Sequence, residues 1–335
     1  MSKKRKLRSA AKKSFRSLRG VMLGAGLAAL TTPVMSADGN LTRTSTARPS
    51  ASVSGHGTYA ALRAALNGDM QAALERSLQA LQLDRAARNG RLAVALVDIT
   101  DPERPRMAQV NGDKMVYAAS LPKIAILLGA FQKAAERGLT LDTAAIDELK
   151  QMIRKSSNAA ATDMLQKVGT QYLAGVLQSP RYRLYDPALG GGLWVGKPYS
   201  AGGASQRDPL HNISHGATAY QVARFYYLLE TGRLVSPEAS RQMKEIMGSP
   251  EIHHKFVAGL EKTHPDSKIF RKSGSWRSYH ADSAIVERDG RRYIAVGLAD
   301  DPNGGAWMSE LIVAMDDIVF GRPVRVAARA ANQKT

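Results

Sequence analysis

A serine and a lysine lie one helical turn apart at Ser120-Leu121-Pro122-Lys123. On a helix this spacing puts the two side chains on one face, within hydrogen-bonding reach. Lys123 begins an otherwise apolar stretch, and burial lowers the pKa of a lysine, so that its neutral amine can accept a proton from a serine hydroxyl. The pair therefore predicts a nucleophilic serine. The alternative is an ordinary helix start with a lysine that extends to solvent.

Two further short motifs carry side chains suited to the same chemistry. Ser156-Ser157-Asn158 is the only S-x-N sequence in the chain, and Lys272-Ser273-Gly274 is the only K-[ST]-G. The S-x-x-K pattern alone is a weak signal, because it also occurs at Ser9–Lys12. Each motif is common by chance, but three of them in this order, each in its expected helix or strand, are a strong signal.

With these three motifs the sequence resembles the class A β-lactamase family, which shares its fold with the penicillin-binding D-alanyl-D-alanine peptidases. The resemblance extends from about Asp69 to Phe320. It implies an α/β (α+β) fold with a five-stranded antiparallel sheet, flanking helices and a helical subdomain. It also implies that Ser120 is acylated, that Lys123 accepts its proton, and that Ser156 relays a proton to the leaving nitrogen.

The same resemblance implies how a substrate is held. Asn158 is expected to orient the acyl side chain, and Lys272 and Ser273, followed by Gly274 on the same strand, to hold the substrate carboxylate. Ser157 stands where the family usually has an aspartate, a departure that leaves the roles of its two neighbours possible.

The resemblance also implies an oxyanion hole formed by the backbone N–H groups of Ser120 and Ser275. Hydrogen-bond donors directed at the developing negative charge often make a large contribution to catalysis. Further along, Arg277 and His280 are close enough in sequence to help bind an anionic substrate. The alternative for Arg277 is a solvated arginine at a strand edge.

The family's omega loop carries a glutamate before a proline, which activates the deacylating water, and an asparagine four residues later. The best register here, Leu184–Gly190, has Asp186 before Pro187, and Gly190 in the asparagine position. Aspartate is one methylene shorter, and a displacement of about 1 Å can cost ~100-fold in a positioned step. From its place in this register, Asp186 is the predicted deacylating base. The alternative is an ordinary turn aspartate before proline.

The composition excludes several chemistries. The chain of 335 residues contains no cysteine, which excludes disulfides, thiolate metal sites and cysteine nucleophiles. Half of the formal net charge of +18 comes from nine basic residues near the N-terminus. There a basic segment, the apolar run 21–30 and small residues near Ala37 predict a signal peptide at 1–37, and hence export to the periplasm or cell surface.

The remaining chain divides by composition. Residues 38–57 are rich in Ser, Thr, Gly and Arg and predict a flexible linker, residues 58–320 the hydrolase domain, and residues 321–335 a loose basic tail. Apolar spacing in the domain predicts helices at 58–88, 121–137, 142–168, 214–229 (with Ser214 as a cap), 237–247 and 307–319.

Strands are predicted at both ends of the domain. The apolar run 92–99 is typical of a buried strand, and 269–276, 283–287 and 293–298 of a C-terminal group. Asp289-Gly290 predicts a hairpin between the last two. The segment 180–212 is loop-like, with six glycines between 190 and 203.

These observations and the resemblance predict an exported, monomeric serine hydrolase of the class A β-lactamase type. It would open a β-lactam ring, or act on a peptidoglycan-like substrate, through a Ser120 acyl-enzyme that water then releases. No cofactor, metal, nucleic acid or stable membrane anchor is expected, because the histidines lack ligand spacing, the remaining charge is scattered and the apolar run is short. Three alternatives stay open: a D-alanyl-D-alanine peptidase-like enzyme that deacylates β-lactams slowly, a non-catalytic protein that binds a cell-wall ligand, and a basic protein that binds nucleic acid or a membrane surface and carries the motifs by chance.

Overall fold

The computed structural model describes residues 61–200, 202 and 206–323. The predicted signal peptide, the linker and most of the basic tail lie outside these residues. All described residues belong to one unit, Gly55–Thr335. No helix among them is long and apolar enough to cross a membrane.

The described chain alternates helices and strands in an α/β arrangement. The helices are α1 (Gly68–Ala80), α2 (Asp84–Arg88), α3 (Lys123–Ala135), α4 (Thr143–Arg154), α5 (Asn158–Val168), α6 (Thr170–Gln178), α7 (Ala219–Glu230), α8 (Pro237–Met247), α9 (Phe256–Thr263) and α10 (Gly304–Val319). The strands are β1 (Leu92–Asp98), β2 (Arg106–Val110), β3 (Val116–Tyr117), β4 (Tyr185–Asp186), β5 (Gly191–Gly192), β6 (Trp194–Val195), β7 (His215–Ala217), β8 (Lys268–Trp276), β9 (Tyr279–Arg288) and β10 (Arg291–Asp300).

The main sheet has five antiparallel strands in the order β2-β1-β10-β9-β8, which confirms the predicted architecture. Every residue of β1 is buried, because helices cover both faces of the sheet. Alternate residues of a strand point to opposite faces. Accordingly Val94 and Leu96 pack with α1 and α10, whereas Ala95 and Val97 pack with α3 and α7.

Helix α3 lies inside the helical layer. Its first nine residues, Lys123–Phe131, are all buried, and α4, α5, α6 and α8 pack around it. A helix that is apolar on every side is stable only when it is enclosed in this way. Lys123 therefore enters the core at the first turn of α3, next to the β8 edge of the main sheet.

The structure refines several predicted elements. The region 142–168 is two helices, α4 and α5, separated at Ser156, whose φ of 58° is left-handed. Ser214 was expected to cap α7, but the chain continues as β7, and the cap is Thr218, whose side chain accepts a hydrogen bond from Gln221 N. The predicted hairpin at Asp289-Gly290 and the helix 237–247 are confirmed. Helix α9 had no counterpart among the predictions.

Candidate active site

Ser120 lies on the turn between β3 and α3, at the floor of a cleft. The residue before it, Ala119, has a φ of 51°, a left-handed conformation that is uncommon outside glycine. Ser120 is half-buried and lines a cleft of about 190 Å³. The strained turn holds Ser120 at the cleft surface, while Lys123, one turn later, points into the protein.

The Lys123 amine is fully buried and contacts the break between α4 and α5. Its Nζ donates to Ser156 O at 2.6 Å, to Asn158 Oδ1 at 2.8 Å and to Ser157 O at 3.2 Å. Burial lowers the pKa of Lys123 to about 7, because the charged form loses its hydration. A substantial fraction of this lysine is therefore a neutral base near pH 7.

The hydroxyl of Ser156 is shared by two buried lysines. Lys272 Nζ on β8 donates to Ser156 Oγ at 2.9 Å, and Lys123 Nζ lies 3.4 Å from the same oxygen. The pKa of Lys272 is well below its usual value, first through burial and then through the positive charge of Lys123. Three residues from three separate sequence motifs thus form one continuous hydrogen-bonded network.

Gly274 brings the β8 backbone against Ser120. A Cβ atom at this position would lie 2.1 Å from Ala118 O and 2.7 Å from Ser120 N, so that only glycine fits without a backbone shift. The next residue, Ser275, lines the cleft together with Ser120, as the expected pair of oxyanion donors requires. Ser273, on the other side of Gly274, is buried.

The cation in contact with Ser275 is Lys255, a residue that the sequence motifs do not indicate. Lys255 Nζ donates to Ser275 Oγ at 2.8 Å and to the carbonyl oxygens of Gly274 at 2.5 Å and Ala281 at 3.1 Å. Burial lowers its pKa to about 8, a shift that Asp282 opposes. No local pattern marks Lys255, because α9 brings it to β8 from about 20 residues away.

Arg277, by contrast, lies outside the cleft. It occupies the exposed turn between β8 and β9 with a φ of 52°, and its guanidinium lies 5.8 Å from the centre of the Trp276 ring. His280, the other downstream candidate, is half-buried and pairs with Ser275 across β8 and β9. The structure therefore places the buried Lys255 against Ser275 of the cleft lining, whereas Arg277 is exposed, and neither of the two side chains itself lines the cleft.

Asp186 is not brought together with the other predicted residues. One carboxylate oxygen accepts from Arg183 Nη2 at 2.6 Å, and the other accepts from Ala188 N at 3.0 Å and caps a short 3₁₀ turn, Pro187–Leu189. This is the turn role that was the alternative to catalysis.

The cleft beside Ser120 is walled by aromatic and small polar residues. In the described part of the chain its lining contains no carboxylate; it consists of Tyr117, Ala119, Ser120, Asn158, Lys197, Pro198, Tyr199, Ser200, His215, Ser275 and Trp276. A larger cleft of about 660 Å³ lies between α8, α9 and the start of β8, but it contains none of the motif residues. The chemistry therefore locates the active site in the smaller cleft.

One group of side chains among the described residues has the spacing of metal ligands, and it lies elsewhere. Ligand atoms of His264, Asp316 and Asp317 are within 4.8 Å of one another. Asp316, however, already accepts hydrogen bonds from Arg288 Nη2 at 2.5 Å and from Tyr293 OH at 3.0 Å. A buried carboxylate paired with a guanidinium is a structural ion pair, and nothing connects it to the cleft.

Comparison with known proteins adds a family and a fold. The sequence matches the β-lactamase enzyme family over residues 73–148 and 143–320. The structure of PBP-A is similar with a TM-score of 0.58 and 20% identity, covering 76% of this chain and 97% of that chain. A mutant of PBP-A, in an acyl-enzyme complex with penicillin G, has a TM-score of 0.57 at 20% identity and covers 76% and 96% of the two chains.

A third similar structure is the β-lactamase from Sphaerobacter thermophilus DSM 20745, with a TM-score of 0.55 and 16% identity, covering 74% of this chain and 95% of that chain. At these identities the likeness shows the fold. A comparison with curated proteins found no significant match.

Proposed function

The chain belongs to the β-lactamase enzyme family, and on that premise we propose that it is a serine acyl hydrolase in which Ser120 attacks the carbonyl of a β-lactam or of a peptidoglycan-like peptide. The observation that carries the proposal is that Lys123 and Lys272 both contact Ser156 Oγ. Lys123 is itself one helical turn from Ser120. A nucleophile next to a base of depressed pKa is the arrangement that nucleophilic catalysis requires.

Acylation follows from this network. Lys123, neutral in part at pH 7, accepts the proton of Ser120 as Oγ bonds to the carbonyl carbon. The carbon–nitrogen bond then breaks, and Ser156 donates its proton to the leaving nitrogen while Lys123 returns the first proton to Ser156. The backbone N–H groups of Ser120 and Ser275 stabilise the oxyanion. The products are a Ser120 ester and a free amine, so that atoms and charge balance.

Substrate binding uses the two sides of the cleft. Asn158 Oδ1 accepts from Lys123, which leaves the Asn158 amide nitrogen to donate to the substrate's acyl amide. On β8, Ser273 and Ser275 supply hydroxyls, and Lys255 and Lys272 supply positive charge for the carboxylate of the substrate. An anionic acyl donor is thus held between α5 and β8.

Release of the acyl group is the step that the cleft supports least. Its described lining contains no carboxylate to activate water, and both oxygens of Asp186 serve a turn. We therefore favour the penicillin-binding, peptidase-like form of the reaction, in which β-lactams acylate Ser120 readily and leave slowly, over an efficient β-lactamase.

The test is a time course of intact protein mass after the full chain is mixed with excess penicillin G, with Ser120→Ala in parallel. We expect an adduct of the mass of the drug on the wild type and none on Ser120→Ala. An adduct that disappears within seconds would favour efficient hydrolysis. No adduct and no drug consumption would overturn the proposal, and drug binding that persists in Ser120→Ala would favour a non-catalytic binding protein.

Export is part of the same proposal and depends on residues 1–37 alone. Cell-wall peptides and β-lactams are met outside the cytoplasm, and a signal peptide delivers the enzyme there. Fractionation of expressing cells, followed by N-terminal sequencing, tests it: we expect a periplasmic or secreted, monomeric chain that begins near Ala37. A cytoplasmic chain with Met1 intact would contradict it.

A further inference from the structure

The aromatic side of the cleft, opposite β8, contains a feature that the acylation chemistry does not use. Tyr199 presents its ring to Lys123, with Nζ 4.6 Å from the ring centre. We propose that Tyr199, held in place by His215, keeps water away from Lys123 and the acylated Ser120, and so sets the lifetime of the acyl-enzyme. This inference rests on the proposed function, and it assigns a specificity-determining role to Tyr199 and a positioning role to His215.

The first step is that protein atoms already surround the Lys123 amine. Three protein oxygens lie within hydrogen-bond distance of its Nζ, namely two backbone carbonyls and the Asn158 amide oxygen. Ser156 Oγ and the Tyr199 ring are its other near neighbours. A water molecule activated by Lys123 would have to displace one of these groups, and the ring offers it no strong acceptor.

The second step is that Tyr199 is fixed. Its hydroxyl lies 3.3 Å from Ala119 O and donates to it, next to the nucleophile. Its ring packs on His215 with the ring centres 4.3 Å apart. Tyr199 therefore spans the cleft wall from the Ser120 turn to β7.

His215 anchors the segment that carries Tyr199. His215 Nε2 lies 3.1 Å from Lys197 O, and because a carbonyl only accepts, Nε2 carries the proton. Nδ1 then accepts from Ser214 Oγ at 3.2 Å. Burial lowers the pKa of His215 to about 4, so that the neutral ring persists across the physiological range. Nε2 thus holds the loop through Lys197 O, and Nδ1 is bonded to Ser214 Oγ, so that both ring nitrogens already have protein partners in place of a water.

The consequence concerns the second half of the reaction. Hydrolysis adds the water oxygen to the ester carbon, breaks its bond to Ser120 Oγ, and returns one water proton to Ser120 as the carboxylic acid leaves. The step needs a water next to both a base and the ester carbon. With Tyr199 in place, the base is covered, and the ester persists until a nucleophile enters from the open rim near Trp276, which is 56% exposed.

The experiment compares adduct lifetimes. Wild type, Tyr199→Ala, Tyr199→Phe and Tyr172→Ala are labelled with penicillin G, freed of excess drug, and followed by intact mass. We expect the adduct of Tyr199→Ala to decay about tenfold faster or more, because water gains access to the base. Tyr199→Phe keeps the ring and loses only the hydroxyl bond, so its adduct should decay at most about threefold faster.

Tyr172→Ala is the matched control. The ring centre of Tyr172 lies 5.5 Å from Nζ of Lys133, which is in α3 like Lys123. Tyr172 is outside the cleft, so that its removal should leave the adduct lifetime unchanged. If Tyr199→Ala does not fold or is not acylated, Tyr199→Leu, which retains apolar bulk, replaces it. Its adduct should decay faster than that of the wild type, but by less than the tenfold expected for Tyr199→Ala. An unchanged lifetime in every Tyr199 variant that acylates overturns the inference, whereas absence of an adduct on wild type overturns the proposed function instead.

Discussion

The two walls of the cleft are built in different ways. The wall formed by α3, α5 and β8 consists of regular elements, and its side chains form one hydrogen-bonded network through Ser156. The wall formed by the segment around Tyr199 is a loop, and the bonds that hold it include those from the Tyr199 hydroxyl to Ala119 O and from His215 Nε2 to Lys197 O. The first wall carries the groups that make an acyl-enzyme, and the second carries none that a hydrolytic water could use as a base.

This difference separates the two half-reactions. Acylation needs groups positioned to a fraction of an ångström, and elements anchored in a core supply that precision. Deacylation also needs a water molecule next to a base, and a loop can admit or exclude that water without disturbing the core. On the proposed mechanism, variants of each wall should therefore affect different steps.

The largest effect is expected from Gly274→Ala on the first wall. The new Cβ would meet Ala118 O and Ser120 N at 2.1 and 2.7 Å, so that β8 and the nucleophile must separate. A displacement of about 1 Å lowers the acylation rate by ~100-fold. The measurement is the rate of adduct formation with penicillin G, with the melting temperature as a check on folding.

Gly175→Ala is the control for that variant, because nothing lies within 4 Å of its Cβ position in α6. It should acylate at the wild-type rate and melt at a slightly higher temperature, since alanine favours a helix by ~0.5–1 kcal/mol. Equal acylation rates in Gly274→Ala and Gly175→Ala would show that the first wall is less constrained than its contacts indicate.

An intermediate effect is expected from pH, through Lys123 of that wall and through Lys255, which contacts Ser275 on β8. Acylation should rise with pH through about 7, because Lys123 must lose its proton to act as a base. Above about 8 it should fall by up to tenfold per pH unit, because Lys255, whose amine contacts Ser275 of the cleft lining, loses its positive charge. The profile of the second-order acylation rate is therefore a narrow bell.

Lys255→Met identifies the alkaline limb. It should lower acylation by about tenfold at pH 7.5 and remove the decline above pH 8, since a paired charge in a partly desolvated site contributes ~1.5–3 kcal/mol. Arg277→Met should change the profile little, because Arg277 lies on the exposed turn. If the two variants exchange these effects, the anion site is at the turn and not at Lys255.

Local spacing predicts neighbours within one motif, whereas the contact of Ser156 with Lys272 joins residues that are 116 apart in the sequence. Ser120 and Lys123 share one helical turn, and Asp289-Gly290 predicts its hairpin because both residues adopt the positive φ that the turn needs. The turn at Arg277-Ser278 contains no glycine, and no local signal predicted it. Lys255 and Tyr199 are brought to the cleft by α9 and by a long loop, and such placement depends on tertiary contacts that a single sequence does not reveal.

The smallest effect is expected at Asp186, where a large effect would contradict the comparison of the two walls. Asp186→Asn keeps an oxygen to accept from Ala188 N and loses only the charge pair with Arg183, whose side chain is 61% exposed. An ion pair with an exposed partner contributes ~0–1 kcal/mol, so stability should change little. The adduct lifetime should change by less than about twofold, because Asp186 is not among the residues that line the cleft beside Ser120. A tenfold longer lifetime would instead make Asp186 the deacylating base, return the loop wall to catalysis, and leave Tyr199 as packing.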